Sequence, residues 1–334
     1  MGDPLGIGPE VILKARRDDR VRAACKAFVV GDAGIMRRAA RMIEGSPEVR
    51  TVAAPDEAAC EAGVLSVLDL ANAGDLDMAE RAPSAAAGRA AGEAIHRAVR
   101  LALEGEVDAV VTAPISKEAM RLAGYERTGH TEMLAQLTGA SGAAMLLVWQ
   151  NMRVAHVTTH LALRDVAPAI TLQRVRRTIE LTHRTTQRFG IAHPRIAVAG
   201  LNPHAGEAGL FGDEERLVIA PAVEEGRRAG LAVTGPLPPD TVFARLRAGD
   251  YDAVVAMYHD QGHIAIKTLS FTPAAGERAA AMAGVNVTMG LPIIRTSVDH
   301  GTAFDIAGKG LASEQSMVEA ILLAAQLAAA RTSS

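Results

Sequence analysis

The sequence predicts an α/β protein with mostly parallel β-sheets. Short apolar runs rich in β-branched residues alternate with longer amphipathic or alanine-rich segments, a pattern typical of parallel βαβ units with right-handed crossovers. At 334 residues the chain is long enough for two subdomains, and 49% hydrophobic residues is consistent with a fully folded core. Residues 144–149 and 154–158 depart from the pattern, because the tight turn at 150–151 between them predicts a hairpin in a mixed sheet.

The chain opens on a glycine-rich segment, residues 1–10 (MGDPLGIGPE). Gly8 at a helix cap and Pro9 in the first turn predict a helix start, and Gly6 and Gly8 would let the backbone approach an anion at its positive end. An ordinary glycine-proline turn is an equally open interpretation. Such a loop normally follows a strand, so we expect either that a strand is missing before residue 1 or that the sheet tolerates its absence.

The remaining elements are predicted in order along the chain. Strands are expected at 27–30, 64–70, 107–114, 195–201, 253–257 and 284–292. Helices are expected at 84–104, 171–188 and 313–330. Residues 114–117 and 128–132 are polar segments that would contact a ligand, although Ser116 or Thr128 could simply cap a helix. The alanine-rich segment 272–283 predicts a helical insertion or a mobile loop.

Composition excludes several classes of function. A formal net charge of −3 and 3% aromatic residues provide neither a basic surface nor stacking platforms, so no nucleic-acid partner is expected. We expect no membrane association and a cytoplasmic location, because we find no apolar run long enough to span a bilayer and no signal peptide. Cys25 and Cys60 lie in unrelated contexts and are expected to be reduced thiols.

Three apolar runs stop at a histidine: residues 153–160, 195–204 and 253–259 end at His160, His204 and His259. A single strand-end histidine is more often structural than a ligand. Three of them at equivalent positions favour one shared site, because the carboxyl ends of parallel strands meet at one edge of a sheet. Imidazoles are common ligands of borderline metals, so the sequence predicts a catalytic metal site with open positions for water or substrate.

Six segments together resemble the 4-hydroxythreonine-4-phosphate dehydrogenase family: residues 2–10 (GDPLGIGPE), 128–132 (TGHTE), 201–207 (LNPHAGE), 235–241 (GPLPPDT), 257–262 (MYHDQG) and 290–303 (GLPIIRTSVDHGTA). The resemblance implies a fold like that of isocitrate and isopropylmalate dehydrogenases, with two α/β/α domains around a cleft. The first would contain residues 1–126 and 296–334, and the second residues 127–295. It also implies a homodimer whose active sites use both subunits.

The resemblance also assigns residues. His160, His204 and His259 correspond to the family's ligands for a divalent metal, which could be zinc, cobalt, manganese or magnesium, although three imidazoles favour the first three. The implied substrate-binding residues are His130, Thr131, Lys267, Asn286 and Arg295, a set that suits a small dianion. NAD or NADP would lie near Gly6, Gly8, Asp299 and Gly301. Candidate proton acceptors are Asp240, Asp260 and Lys117, and either aspartate could instead orient a ligand histidine.

The reaction implied is metal-assisted hydride transfer from a phosphorylated four-carbon hydroxy acid, giving a β-keto acid that decarboxylates. Relatives acting on 4-phosphohydroxy-L-threonine usually have an apolar residue in place of His263 and a shorter link after Lys267. His263 and residues 304–310 are more similar to the branch acting on 4-phospho-D-threonate and 4-phospho-D-erythronate. Open alternatives are a dehydrogenase of an aromatic cis-dihydrodiol dicarboxylate, a three-histidine metallohydrolase and a relative that binds ligand without turnover.

Overall fold

The computed structural model describes residues 1–127, 129–270 and 284–332, and for residue 332 it describes the backbone alone. Thr128 as a helix cap and the segment 272–283 therefore lie outside the described residues. The helices are α1 (Gly8–Ala15), α2 (Asp19–Ala24), α3 (Ala33–Ala40), α4 (Ala85–Leu103), α5 (Lys117–Leu122), α6 (His130–Thr138), α7 (Val166–Ala169), α8 (Leu172–Arg188), α9 (Ala220–Arg228), α10 (Pro239–Ala248), α11 (His259–Ser270) and α12 (Gln315–Thr332).

The strands are β1 (Val29–Gly31), β2 (Glu48–Val52), β3 (Val64–Asp69), β4 (Ala109–Thr112), β5 (Ala144–Trp149), β6 (Met152–His156), β7 (Ile196–Ala199), β8 (Val233–Leu237), β9 (Ala253–Ala256), β10 (Val285–Met289) and β11 (Ile294–Val298). The predicted α/β class with mostly parallel pairing is confirmed. The predicted hairpin is present as well, since β5 and β6 pair antiparallel.

Serine hydroxyl groups accept hydrogen bonds from backbone N–H groups at the N-termini of α4 and α5. Ser84 accepts a hydrogen bond from the backbone N–H of Ala87 at the start of α4, and Ser116 does the same for Ala119 at the start of α5. These contacts satisfy backbone donors that a first helical turn leaves without intrahelical partners. Ser116 therefore has the capping role that the sequence left open for it.

The described residues divide into two compact units. Unit 1 contains those within 1–140, 284–285 and 291–329, and unit 2 contains those within 141–270, 286–290 and 330–332. The predicted domain boundaries would put His130 and Arg295 in the second domain, whereas both belong to unit 1. The reason is packing, because α6, which begins at His130, packs against α4, and β11, which carries Arg295, pairs with β4.

Unit 1 contains a three-stranded parallel sheet of order β1-β3-β2 and the parallel pair β4 and β11. The core beneath the three-stranded sheet is apolar, with α1 and α3 contributing fully buried side chains such as Leu13 and Met36. Burying a side chain of this size contributes roughly 1.5–3 kcal/mol. This packing holds the glycine-rich opening segment, which leads directly into α1.

In unit 2 the strand order is β10-β5-β6-β9-β7-β8. The β6, β9, β7 and β8 strands run parallel, in a register that places Val154 beside Val254 and Ile196 beside Ala253. Every residue of β7 and β9 is buried, as expected for central parallel strands covered on both faces. The rigid centre of this sheet therefore supports the loops that follow β6, β9 and β7.

Several elements were not predicted from the sequence. The β8 strand contains Gly235 and Pro236, which are typical of loops, and α11 begins at His259 where the sequence was interpreted as the end of a strand. The β2 and β11 strands were also missed. Within the described ranges, no helix combines the length and apolar character needed to cross a bilayer.

Candidate active site

Three neighbouring parallel strands of unit 2 lead into the loops that carry the predicted metal ligands. The order β6-β9-β7 puts these strands side by side, so their following loops leave the same edge of the sheet. His160, His259 and His204 lie three to five residues beyond the strand ends, not at the ends themselves as predicted. The β9 strand ends at Ala256 because the chain then turns into α11, so His259 begins a helix and does not end a strand.

The rings of His160 and His259 lie close together, with centroids 5.7 Å apart. Nδ1 of His259 is 2.6 Å from Oδ1 of Asp260, and we assign the ring proton to Nδ1 because that nitrogen faces a carboxylate. This hydrogen bond lowers the pKa of Asp260 below its ordinary value. The same contact leaves Nε2 of His259 with its lone pair available to a metal, so Asp260 is placed to orient a ligand histidine.

His204 lies in an unusual backbone segment, a single left-handed turn over residues 204–208. The φ angles are 52° at His204, 55° at Ala205, 85° at Gly206 and 43° at Glu207, so only one of these four residues is a glycine. A left-handed conformation costs roughly 1–2 kcal/mol for each residue with a Cβ. The left-handed turn must therefore be stabilised by contacts with residues outside 204–208.

Glu215 supplies those contacts. Its side chain is buried, and Oε1 accepts hydrogen bonds of 2.7 Å from the backbone N–H groups of both Leu201 and Asn202. Oε2 accepts a further bond of 3.0 Å from the Asn202 side chain. A Cβ on Gly206 would lie 2.7 Å from Oε2, so a glycine is needed there for the carboxylate to approach.

Glu215→Ala is expected to lower the free energy of unfolding by about 3 kcal/mol, because it leaves two partly buried backbone donors and the Asn202 side chain without their acceptor. Urea denaturation followed by circular dichroism measures the change. Glu224→Gln is the matched control, since Glu224 forms only exposed ion pairs within α9 and its replacement should change stability by less than about 0.5 kcal/mol. Equal stability of the two variants would contradict the anchoring role of Glu215.

Two further histidines, His263 and His156, pack against this group. The His263 ring stacks on that of His259, with centroids 3.7 Å apart and an interplanar angle of 11°. His156 lies 4.8 Å from His263 and is 1% exposed. Burial, followed by the charges of His263 and His259, lowers the pKa of His156 to about 3, so its ring is neutral. A Cβ on Gly262 would overlap Nε2 of His156, which explains the glycine there.

Sequence reasoning did not identify His156. The stacking of His263 on His259 could have been predicted, because residues four apart on one helix lie on the same face. His156 ends an apolar run four residues before His160, but nothing in its local sequence distinguishes a packing histidine from a ligand.

Metal binding by these residues stays a prediction, and their arrangement and donor chemistry can be compared with what a metal requires. Within the described ranges, no three histidine, cysteine, aspartate or glutamate side chains form a group arranged to hold a metal ion. The adjacent imidazoles of His160 and His259, one of them oriented by a carboxylate, are suitable donors for zinc or cobalt. The donor chemistry thus fits a divalent metal, and a site completed by His204 stays a prediction.

Unit 2 also contains the predicted substrate residues Lys267 and Asn286 and the candidate base Asp240. Lys267 is on α11, the same helix as His259, and Asn286 is on β10. Asp240 is exposed in the first turn of α10. Their predicted roles stay predictions.

Unit 1 contains a buried cation, Arg295, on β11. It is 5% exposed, and its Nη2 donates a hydrogen bond of 2.7 Å to Oγ1 of Thr112 at the end of the paired strand β4. Burial lowers the pKa of Arg295 to about 10, and the nearby Glu132 carboxylate opposes this change. The guanidinium is therefore still charged at neutral pH and is held in a fixed orientation.

Unit 1 also contains the predicted substrate residues His130 and Thr131 and the candidate proton acceptor Lys117. His130 and Thr131 form the first turn of α6. Loss of hydration, and then the charge of Arg295, lower the pKa of His130 well below its ordinary value, so its ring is neutral. Lys117, the first residue of α5, is exposed, and its Cε would lie 3.8 Å from a Cβ on Gly129. This part of unit 1 thus provides a buried cation, an exposed lysine and a neutral imidazole, and the cation and the imidazole suit recognition of a small anion.

The two segments predicted to contact a dinucleotide touch each other within unit 1. The backbone N–H of Ile7 donates to the Thr302 carbonyl at 2.9 Å, and a Cβ on Gly6 would lie 2.9 Å from that same oxygen. Gly8, which was predicted to be the helix cap, is instead the first residue of α1, and the cap is Ile7. Asp299 is buried, whereas Gly301 has open space around it. The cofactor assignment stays a prediction.

The fold and the site together define a class: an α/β enzyme that acts on a small anionic molecule. The model of the family described as pyridoxal phosphate biosynthetic protein PdxA matches residues 23–324, and the chain belongs to this family. The resemblance drawn from the six segments is thereby confirmed.

Three similar proteins carry related names. A D-threonate 4-phosphate dehydrogenase from Cupriavidus necator is 50% identical, covering 99% of this chain and 96% of its own. A 4-hydroxythreonine-4-phosphate dehydrogenase from Geobacter metallireducens is 48% identical, covering 98% and 94%. The crystal structure of a 4-hydroxythreonine-4-phosphate dehydrogenase from Klebsiella pneumoniae superposes with a TM-score of 0.84 at 46% identity, covering 98% of each chain. The predicted assignment to a dehydrogenase is confirmed.

Proposed function

We propose that this protein catalyses the NAD- and metal-dependent oxidation of a four-carbon hydroxy acid bearing a 4-phosphate, and that the β-keto acid formed loses carbon dioxide. The observation that carries the proposal is the adjacent pair His160 and His259, which follow neighbouring parallel strands, in a chain that shares about half its sequence with enzymes named for such substrates. We also propose that the enzyme is a cytoplasmic homodimer with shared active sites. Sedimentation at several protein concentrations would test whether it is a dimer.

His160, His204 and His259 would hold the metal. When bound, the metal supplies stabilisation of negative charge on substrate oxygen, and the nicotinamide supplies the hydride acceptor. Asp260 holds His259 with Nε2 unprotonated, and this orienting role leaves Asp240 or Lys117 as the acceptor of the hydroxyl proton. Arg295 would bind an anionic group of the substrate with His130 and Thr131, and Lys267 and Asn286 would contribute further hydrogen bonds.

The reaction balances without another reactant. Oxidation removes a hydride from the carbinol carbon and a proton from its hydroxyl group. In decarboxylation the electron pair of the broken carbon–carbon bond moves into the enolate of the ketone, and a proton then adds to the carbon that carried the carboxylate. The residues of this chain are required to bind, orient and transfer protons, which is consistent with neutral His130 and charged Arg295.

His263 supports a substrate without an amino group. Its ring is 5% exposed and stacks directly on His259, so it is part of the histidine group and not a surface substitution. The resemblance described from the sequence implies an apolar residue at this position in relatives that act on the amino substrate. We therefore propose 4-phospho-D-threonate or 4-phospho-D-erythronate as the substrate, ahead of 4-phosphohydroxy-L-threonine.

The test is the rate of NADH formation with added Zn²⁺, Co²⁺ or Mn²⁺, comparing these three phosphorylated acids. We expect turnover that requires the dinucleotide and favours an acid without the amine. Preference for the amino compound would assign the protein to the other branch. Activity only on an aromatic cis-dihydrodiol dicarboxylate, or hydrolysis that needs no NAD, would overturn the proposal.

A further inference from the structure

The Gln261 side chain connects two of the histidine loops. In the first turn of α11, its Oε1 accepts a hydrogen bond of 2.7 Å from the backbone N–H of Met257, two residues before His259. Its Nε2 donates a bond of 2.9 Å to the Gly200 carbonyl, four residues before His204. One amide group thus joins the ends of β9 and β7 beyond the point where their backbone ladder stops.

Met257 is also connected to the third loop. Both the backbone N–H and the hydroxyl group of Thr158, two residues before His160, donate to the Met257 carbonyl, at 3.1 and 2.8 Å. Thr158 is 1% exposed, so this contact is shielded from water. Hydrogen bonds therefore run from Gly200 through Gln261 and Met257 to Thr158, and join all three histidine loops.

The Gly200 contact is particularly suited to setting the position of His204. A Cβ on Gly200 would lie 2.8 Å from Cα of Ala205 and 3.1 Å from Oε1 of Glu215, so this residue packs tightly beneath the left-handed turn. Movement of the Gly200 carbonyl would move that turn, because close-packed groups shift together. A metal bound by residues on different loops requires their spacing to be fixed to a few tenths of an ångström.

We propose that Gln261 is a positioning residue, which fixes the His204 loop relative to His259 and thereby sets the affinity for a divalent metal. The inference rests on the proposed metal-dependent function. Gln261 does not need to touch the metal or the substrate for this role. Residues that hold ligands in place commonly change metal affinity 10- to 100-fold when they are replaced, and an effect of about this size is expected here.

Two variants test the two hydrogen bonds of the Gln261 side chain, to Met257 and to Gly200. Gln261→Glu keeps the acceptor for Met257 but loses the donor to Gly200, and Gln261→Met removes both contacts without adding a charge or a new ligand. Titration calorimetry with Co²⁺ on the folded protein should show affinity weakened ~10- to 100-fold for both. Gln187→Glu and Gln187→Met are matched controls, because Gln187 donates to the Ala192 carbonyl in the same unit. These controls should bind Co²⁺ like the wild type.

A double-mutant cycle tests whether the Gln261 substitutions weaken Co²⁺ binding by displacing His204. Combined with His204→Ala, the Gln261 substitutions should weaken the residual Co²⁺ binding no further, since the loop they misplace no longer carries a ligand. Combined with His160→Ala, they should weaken it further. Unchanged affinity in the single variants, or the same loss with and without His204, would overturn the inference. Absence of Co²⁺ binding by the wild type would instead overturn the proposed function.

Discussion

Replacing His204 by alanine is expected to lower kcat by ~10³-fold or more, because loss of a metal ligand removes several kcal/mol of transition-state stabilisation. The fold should survive, since the side chain belongs to no described core cluster and its backbone turn is held by Glu215. Steady-state NADH formation, with Co²⁺ or Zn²⁺ added to saturation, measures the effect. Removing metal from the wild type with a chelator should produce a loss of similar size.

His204→Asn is the informative companion variant. Asparagine tolerates the left-handed backbone that His204 adopts, so this change removes the imidazole with little effect on the turn. Both variants should unfold within about 1 kcal/mol of the wild type in urea. If the alanine and asparagine variants both retained full activity per folded molecule, His204 would not be a ligand, since alanine offers no side-chain donor. If activity were lost only through unfolding, the role of His204 would be structural.

The histidine loops could be predicted because their signal is local. An apolar β-branched run that ends near a histidine is visible in one segment, and parallel strands bring such ends to one edge of a sheet. The prediction correctly placed a strand before each of His160, His204 and His259. It could not supply the distances between these residues, because they depend on where β9 turns into α11.

The contacts that support the loops were not predictable in the same way. Glu215 lies eleven residues after His204 in a segment with no distinguishing motif, yet it holds the chain before the left-handed turn. Gln261 lies within a recognised motif, but its two hydrogen bonds depend on the order of β9 and β7, which the sequence did not establish. The position of Arg295 in unit 1 was not predictable for a similar reason, since it depends on the pairing of β11 with β4.

Arg295 is where we expect the second large effect. Its buried guanidinium is held by Thr112, and removing one partner of a buried, hydrogen-bonded charge pair between binding partners typically costs about 2–5 kcal/mol of binding free energy. Arg295→Met should therefore lower kcat/KM for the phosphorylated acid by ~10²- to 10³-fold. Arg295→Lys should recover only part of this loss, because an ammonium group cannot reproduce the two parallel hydrogen bonds of a guanidinium.

The size of the effect should depend on the substrate, and this separates recognition from folding. If Arg295 binds an anionic group, its loss should raise KM for the phosphorylated acid far more than it changes the Co²⁺ affinity of unit 2. Arg20→Met is the control, since Arg20 is exposed and pairs only at the surface, and its kinetics should match the wild type. A KM within about twofold of the wild-type value for folded Arg295→Met would exclude a substrate contact, because loss of even a weak charged hydrogen bond changes affinity more than this. A buried cation without that role would then be structural, and the anion site would have to be sought elsewhere.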